Sequence, residues 1–369
     1  MDAIWFDIVT PKFVLFLKDI IKKFRDFDYE ILITARMSEG YTEVTELLAL
    51  YGLKYFEIGS FGGEKLRNKL STSIERQVAL CELLRNFEVK ALISGCSVDA
   101  NRVAFGLGIP IVNFYDIPLS DHTTNFKKTL PQARLTIPLS TFIFHPFIVP
   151  KEIFLRLALE EDQIFSYNCI DPYVWLRNFK PDKDYIEKGL NIKLDKPLIV
   201  VREEEFKASY VNERYSLLYD GLMRLVKEIA ADYVIIPRYE SKPLKELFPF
   251  AIVLENASVI QHLLAHADLF IGGGGTINIE ATYFGTPTIS TRSFISHYDK
   301  YLIDKGLMAW VDNADMMVDV AIDILGKRKE KLAKSVYSTM SFDVEAIVNN
   351  ILNLLELRGI SLYEKSPLF

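Results

Sequence analysis

The sequence predicts an α/β fold of two halves, each a parallel sheet with helices on both faces. Three observations predict it. Short apolar runs alternate with amphipathic stretches from residue 4 to residue 114. The same alternation restarts at residue 197, after a stretch from 152 to 194 that is richer in charge, aromatic residues and proline. A strand–glycine–helix unit around Ile271-Gly272-Gly273-Gly274-Gly275-Thr276 then stands late in the chain. With 369 residues, 50% of them hydrophobic and 25% charged, the chain is long enough for two such cores.

In the first half, residues 4–9 read as a strand and 13–27 as an amphipathic helix begun by Thr10-Pro11, where proline suits the first turn. Residues 30–34 read as a strand and 42–51 as a helix ended by Gly52. A short strand at 55–58 leads into Gly59-Ser60-Phe61-Gly62-Gly63 and a long helix over 72–86. Residues 91–94, 98–106 and 111–114 read as strand, helix and strand. The apolar segment 137–150, broken by Pro138, His145, Pro146 and Pro150, reads as a buried strand and a connection between the halves. A face for a membrane surface or a lipid acceptor is its other reading.

In the second half, 197–201 is a strand, 215–230 a helix, 233–236 and 252–254 strands, and 259–266 a helix. The glycine unit follows, and further helices fill 315–353. The expected domains are 1–168 and 169–342, followed by a helix and tail at 343–369. Open α/β sheets bind ligands at the carboxyl ends of their strands, so the expected site is a central cleft that both sheets face.

The glycine unit carries the most chemistry. Ala267-Asp268-Leu269-Phe270-Ile271 reads as a buried strand, and 277–284 as a short helix stopped at Gly285 with Pro287 beyond. Glycines between them let the backbone approach a ligand closely, and the first N–H groups of the helix lack partners inside it. A diphosphate suits such a place. The spacing is not G-x-G-x-x-G, and the Lys-Ser/Thr of a P-loop is absent. A simple chain turn is the alternative. Within the helix, Ile277, Glu280, Ala281 and Phe284 share one face. A carboxylate in an apolar stripe needs partners. Ribose hydroxyls about one helical turn from the phosphates are one set; a structural pair with Arg292 or Arg238 is the other.

A formal net charge of −6 provides no basic field for nucleic acid. Cys81, Cys96 and Cys169 lack paired spacing, so neither a disulfide framework nor a zinc site is expected, and a reducing, cytoplasmic location fits. His262 and His266 are four apart on a predicted helix without an H-E-x-x-H pattern and read as ordinary helix residues. The chain opens into a strand rather than a basic signal segment, and no apolar run reaches the ~20 residues that span a bilayer.

The glycine segment through Phe284-Gly285-Thr286-Pro287-Thr288 resembles the donor-site segment of the GT-B superfamily. It is most similar to UDP-N-acetylglucosamine 2-epimerases and MurG-type glycosyltransferases. Ala91-Leu92-Ile93-Ser94-Gly95-Cys96-Ser97 through Gly108-Ile109-Pro110-Ile111 resembles the epimerase strand–helix–strand that ends in G-I-P. Trp5-Phe6-Asp7-Ile8-Val9-Thr10-Pro11-Lys12 with Gly40-Tyr41-Thr42-Glu43-Val44 resembles a mainly archaeal family, the domain of unknown function 354. The resemblance implies GT-B architecture, two Rossmann-like domains, and a final helix that crosses back to the first. It implies that Gly273, Gly274, Gly275 and Thr276 face the phosphates of a nucleotide sugar and Glu280 its ribose. It also places Ser258, in Leu254-Glu255-Asn256-Ala257-Ser258, beside the base.

Departures from the epimerase pattern bear on the reaction. Cys96 stands where those enzymes carry an acid, and Asp116 where they carry a glutamate. Their P-E-E-x-N-R stretch has no counterpart after Asp121-His122. Their catalytic histidine is missing from Val200-Val201-Arg202-Glu203-Glu204-Glu205.

Glycosyl transfer needs a base for the acceptor hydroxyl and cations or dipoles for the departing diphosphate. Arg202, at a strand end, suits bidentate phosphate contact, or else pairs with one of the glutamates after it. Arg238 is a second strand-end cation. Asp116 is the first candidate base, with Asp121 and His122 next in the same loop and Asp99 and Asp7 as further options. No D-x-D metal motif stands at a strand end, so no metal and no cofactor beyond the nucleotide-sugar substrate is expected. The expectation is a metal-independent nucleotide-sugar glycosyltransferase, with 2-epimerase-like isomerisation as the alternative and a non-catalytic nucleotide-sugar binder as the second. The acceptor is open and includes a lipid-linked one; peripheral membrane contact and oligomerisation are both compatible with the sequence.

Overall fold

In a computed structural model, residues 2–36, 42–63, 65–204, 217–238, 241–254 and 259–357 are described. The chain divides into two compact units. One takes the chain up to Asp171 and again from Ser341; the other is Pro172–Met340.

The first unit begins with β1 (Asp2–Ile8), α1 (Pro11–Phe24), β2 (Glu30–Ala35), α2 (Glu43–Leu50), β3 (Phe56–Glu57) and α3 (Leu66–Leu84). It continues with β4 (Glu88–Ser94), α4 (Val98–Gly106), β5 (Ile111–Phe114), α5 (Pro131–Thr136), β6 (Phe142–Pro146), α6 (Glu152–Leu155) and β7 (Ile164–Tyr167). The seven strands pair in parallel in the order β3-β2-β1-β4-β5-β6-β7. β1 is central and its Ala3, Ile4, Trp5, Phe6 and Ile8 are fully buried, as a strand covered on both faces requires. Trp5 and Leu92 pack toward Leu80, Leu84, Ala100 and Val103 of α3 and α4. Phe16 of α1 packs on Phe114, Tyr167 and Phe342.

Pro11 opens α1 at its first turn, and the helix buries Phe13, Val14, Leu17, Ile20, Ile21 and Phe24 along one side. Segment 137–150 is a strand of this sheet, β6, and lies wholly within the first unit; it is not a connection between the units. α3 starts six residues before its predicted position, with no side-chain cap at Lys65 to mark the start.

The second unit holds α7 (Pro172–Leu176), β8 (Leu198–Arg202), α8 (Leu217–Glu228), β9 (Asp232–Ile236), α9 (Ser241–Leu247), β10 (Ile252–Val253) and α10 (Ile260–His266). It closes with β11 (Leu269–Gly272), α11 (Gly275–Tyr283), β12 (Thr288–Ser290), α12 (His297–Asp304), β13 (Met308–Trp310), α13 (Ala314–Ile324) and α14 (Glu330–Tyr337). The parallel order is β10-β9-β8-β11-β12-β13. Successive residues of β8 serve opposite faces. Ile199 and Val201 join a cluster with Leu222, Leu225 and Met317, while Leu198 and Val200 join Leu263, Phe270 and Ala281.

Gly285 ends the α11 region at φ +72°, where a Cβ would lie 2.5 Å from the Glu330 backbone nitrogen, so both conformation and space select glycine. The final helix, α15 (Val344–Leu357), belongs to the first unit and packs on α1. Among the described residues, no helix is long and apolar enough to cross a membrane.

Candidate functional site

In the second unit, β11 delivers the chain to the sheet's carboxyl edge, and α11 starts after Gly273 and Gly274. Within this buried segment, Gly274, Gly275 and Thr276 are the part-exposed stretch. Gly274 is the extended N-cap of α11, with no side-chain cap. Asn278 N–H is the first to bond back along the helix, to Gly274 O at 3.2 Å. The N–H groups of Gly275, Thr276 and Ile277 therefore have no acceptor within the helix. None of the four consecutive glycines has positive φ, so the loop does not need them for left-handed turning. What it needs is the missing Cβ. At Gly273 a Cβ would lie 2.9 Å from Glu204 Cα, whereas at Gly275 it would meet the tip of Arg292, 3.0 Å from Nη1. Gly273 is thus required by internal packing, and its N–H donates to Arg202 O at 3.1 Å. Gly274 and Gly275 are the part-exposed glycines at the helix opening, and a Gly274 Cβ would itself meet Ile277 Cγ2 at 2.8 Å.

Two buried guanidinium groups border this opening. The Arg202 side chain passes 3.6 Å from where a Gly274 Cβ would stand, and its Nη1 donates to the carbonyls of Ile236, the last residue of β9, and Pro237 after it. Arg292 donates to Asp299 Oδ2 at 3.0 Å and lies over the Phe294 ring. Arg238 stands after β9 with its backbone N–H held by Glu203 Oε2 at 2.9 Å; the same glutamate accepts from Tyr219. Glu204 accepts from both the N–H and the hydroxyl of Ser293.

Glu280 is 3% exposed. Its Oε1 accepts from Trp175 Nε1 at 2.7 Å and from Gln261 Nε2 at 2.9 Å. The alternative pairing with Arg292 or Arg238 is not formed among the described residues: Arg292 is engaged by Asp299, and Glu280 takes neutral donors. Among the described residues no side chain bonds Oε2. Burial pushes this carboxyl up to about 7, against the opposing pull of Gln261, Trp175 and the Arg202 charge. Ser258 lies outside the described residues, as do Glu205, Gly40 and Tyr41.

The first unit gathers a different set at its own carboxyl edge. Lys12, in the first turn of α1, forms ion pairs with Asp116, which follows β5, and with Asp171, which follows β7. Asp171 also accepts from Tyr167 Oη at 2.7 Å. Burial opposes the Lys12 ammonium, but the two carboxylates outweigh it and hold its pKa above the ordinary lysine value. Cys96 follows β4 in a left-handed conformation, φ 65°, and its thiol donates to Phe114 O at 3.6 Å. Burial and the neighbouring Asp116 push that thiol well above its ordinary pKa, so it stays protonated.

Asp121 lies 3.4 Å from His122 Nδ1 and accepts from the Thr123 N–H in a local turn, and among the described residues neither Asp121 nor His122 bonds to the Lys12 cluster. Burial would raise the Asp121 pKa, but the Thr123 and His122 contacts leave it below the usual carboxylate value. Asp7 and Asp99, the further candidate bases, are both committed to the fully buried Arg76. His262 accepts from the Asp182 N–H at 2.9 Å and stacks on Phe179 and Tyr185, the ordinary helix role expected of it. Among the described residues, no group of three or more His, Cys, Asp or Glu side chains could hold a metal ion. The residues that sequence reasoning missed are Trp175, Gln261, Lys12 and Asp171. Each is brought in by a long-range contact that no local pattern announces.

Two units, each built on a parallel sheet, give the chain an α/β architecture of the GT-B fold. Comparison with solved structures agrees. UDP-N-acetylglucosamine 2-epimerase of Methanocaldococcus jannaschii, bound to UDP-GlcNAc and UDP, superposes with a TM-score of 0.75 at 14% identity, covering 96% of this chain and 100% of that one. The Neisseria meningitidis epimerase bound to UDP-GlcNAc gives 0.71 at 16% identity, covering 97% and 100%. The spinosyn rhamnosyltransferase SpnG gives 0.61 at 14% identity, covering 96% and 100%.

At such identities the likeness is one of fold. The chain belongs to the family of proteins of unknown function DUF354, whose profile matches residues 2–356. An uncharacterised protein of Methanocaldococcus jannaschii is 31% identical over 330 residues, spanning 88% of this chain and 92% of that protein.

Proposed function

We propose that the second unit binds a nucleotide sugar, with diphosphate on the α11 opening and ribose on Glu280, and that the protein is a metal-independent glycosyltransferase. The observation that carries the reading is the division of labour at Glu280. One carboxylate oxygen is anchored by Trp175 and Gln261, which leaves Oε2 for a ligand, one helical turn from an opening flanked by Arg202 and Arg292. Backbone N–H groups and guanidinium groups together suit a leaving diphosphate. Likeness to structures described as bound to UDP-GlcNAc supports the same guest.

Asp116 is the proton acceptor in this reading. Two carboxyl groups share one ammonium in the Lys12 cluster. When Asp116 takes a proton, Lys12 keeps Asp171 as partner, so no buried charge is left alone. Asp116 is also the more open of the two, with its side chain 18% exposed against 2% for Asp171. Epimerisation is the second reading, favoured by the full-length likeness to epimerase structures. The protonated Cys96 thiol, standing where those enzymes carry an acid by resemblance, argues against it.

A thermal-shift screen across UDP-, GDP-, CMP- and dTDP-sugars tests binding. A ligand at a hundredfold excess over its Kd stabilises by about 2.7 kcal/mol. NMR of UDP-N-acetylglucosamine incubated with the protein separates the reactions. The proposal expects no change without an acceptor, and turnover with one, a lipid-linked acceptor included, that EDTA does not stop. Free N-acetylmannosamine or its nucleotide ester would favour the second reading.

A further inference from the structure

The loop that follows Asp116 folds back on itself before α5. At its base Leu119 pairs with Thr129 in an antiparallel bridge, the Ser120 N–H donates to Lys128 O at 2.9 Å, and the Leu130 N–H donates to Pro118 O at 3.0 Å. Beyond the base, Asn125 Oδ1 accepts from the Lys127 N–H at 3.1 Å and caps a single turn of 3-10 helix, Phe126–Lys128. The Thr129 hydroxyl donates to Phe126 O at 2.7 Å. These bonds fix the turn, and it presents two adjacent lysines, Lys127 and Lys128, both exposed.

Two exposed arginines from other elements reach the same turn. Arg156, at the end of α6, holds its guanidinium over the Phe126 ring, 3.7 Å from the centroid. Arg134 of α5 donates from Nη2 to Phe126 O at 3.4 Å. Four cationic side chains from three places in the chain thus meet around Phe126. Among the described residues none of the four has an ion-pair partner, and neither lysine ammonium nor the Arg156 guanidinium makes a hydrogen bond. The segment is also basic against the balance of the chain. From Asp121 to Arg156 there are five Lys and Arg against two Asp and Glu, whereas the whole chain has 43 against 49. Like charges gathered without a counter-charge favour an anion among them. A guanidinium held over a ring still offers its N–H edge to one.

We infer that the Phe126–Lys128 turn, with Arg134 and Arg156, is a phosphate-binding subsite of the first unit, fit for a second substrate that carries a phosphate ester or a diphosphate. Four cations exceed what one carboxylate would match, whereas a phosphate monoester brings about two negative charges and three acceptor oxygens. Arginine suits the paired oxygens of such a group, and lysine adds point charge. The turn stands on the loop that begins at Asp116, the proton acceptor of the proposed reaction. Assigning the phosphate to the acceptor compound therefore rests on the glycosyl-transfer reading; the binding of phosphate at the turn does not.

Calorimetric titration of the full chain with inorganic diphosphate at low ionic strength tests this. The expected result is two independent sites. Gly275→Val should weaken one, at the α11 opening, and spare the other. Lys127→Gln with Lys128→Gln should weaken the other by roughly tenfold or more and spare the first. Arg156→Gln should act on the same site as the lysine pair. The lysine ammonium groups bond nothing among the described residues, so the lysine variant should melt as the wild type does. A single site, lost in Gly275→Val and indifferent to the lysine pair, would overturn the inference and leave the donor site standing. A single site that the lysine pair weakens and Gly275→Val does not would do the reverse. Cosedimentation with phosphatidic acid vesicles, set against phosphatidylcholine vesicles, distinguishes the sources of the phosphate. Vesicle binding that the lysine pair abolishes would assign it to a lipid, and diphosphate binding at the turn without vesicle binding would assign it to a soluble ester.

Discussion

The carboxyl edges of the two sheets carry different sets of charged and polar groups. At the second edge, helix N–H groups without acceptors in the helix stand beside part-exposed glycines, Arg292 is held by Asp299, and among the described residues Glu280 is bonded through Oε1 alone. At the first edge the charges answer one another, with Lys12 divided between Asp116 and Asp171. In the proposed reading, one edge receives an anion and the other takes up a proton. On that reading, the difference teaches that an anion site shows itself in helix N–H groups without acceptors, whereas a proton acceptor can be hidden inside an ion-paired cluster.

The largest expected effect breaks the ion-paired edge. Lys12→Met would leave Asp171 buried without its ammonium and should cost about 3–5 kcal/mol of stability, read from the denaturant midpoint. An unchanged midpoint would mean that water already solvates the cluster. Asp116→Asn keeps the shape, so it should leave nucleotide-sugar affinity intact and lower turnover by about 10²-fold or more with a verified acceptor. Normal turnover would move the base elsewhere, and Asp121 or His122 would be the next variants. At the open edge, Gly275→Val drives a Cβ against the Arg292 guanidinium and covers the helix opening. It should weaken nucleotide-sugar binding by about 2–3 kcal/mol in calorimetry, with secondary structure retained by circular dichroism. Gly275→Ala tests the same contact with less displacement of Arg292.

The smallest effect is the pH response of Glu280. Its folded pKa of about 7 lies above the ordinary carboxylate value, so the folded state binds the proton more tightly than the unfolded state. Its stabilising contribution is therefore complete below the ordinary carboxylate range and is lost as pH rises through about 7. Glu280→Gln should flatten that slope in melting curves taken between about pH 5 and 8. Ribose hydroxyls that donate to the ionised form should expel a proton on binding near pH 7. Titrations in buffers of different ionisation enthalpy would detect it, and Glu280→Gln should abolish it.

Much of the fold was legible because its signals are local. The unbroken apolar run of β1, Pro11 at the head of α1 and the strand–glycine–helix unit of β11 and α11 each state their geometry within a few residues. β7, β12 and β13 are strands of three or four residues whose identity comes from pairing with a neighbour, and β6 is interrupted by Pro146 at its end. The glycine opening and Glu280 were readable for the same local reason. Their reinforcement was not: Trp175 lies 105 positions from Glu280, and Arg292, one of the alternative partners for that carboxylate, turns to Asp299 instead. Asp116 could be placed at a strand end from sequence, but its bond to Lys12, 104 positions away, could not.

The most direct test of the open edge compares two ligands on one variant. Glu280→Ala, titrated calorimetrically with a nucleotide sugar that binds the wild type and then with inorganic diphosphate, should lose about 1.5–3 kcal/mol for the first and far less for the second. Equal losses for both ligands would make Glu280 a structural carboxylate and contradict its assignment to ribose.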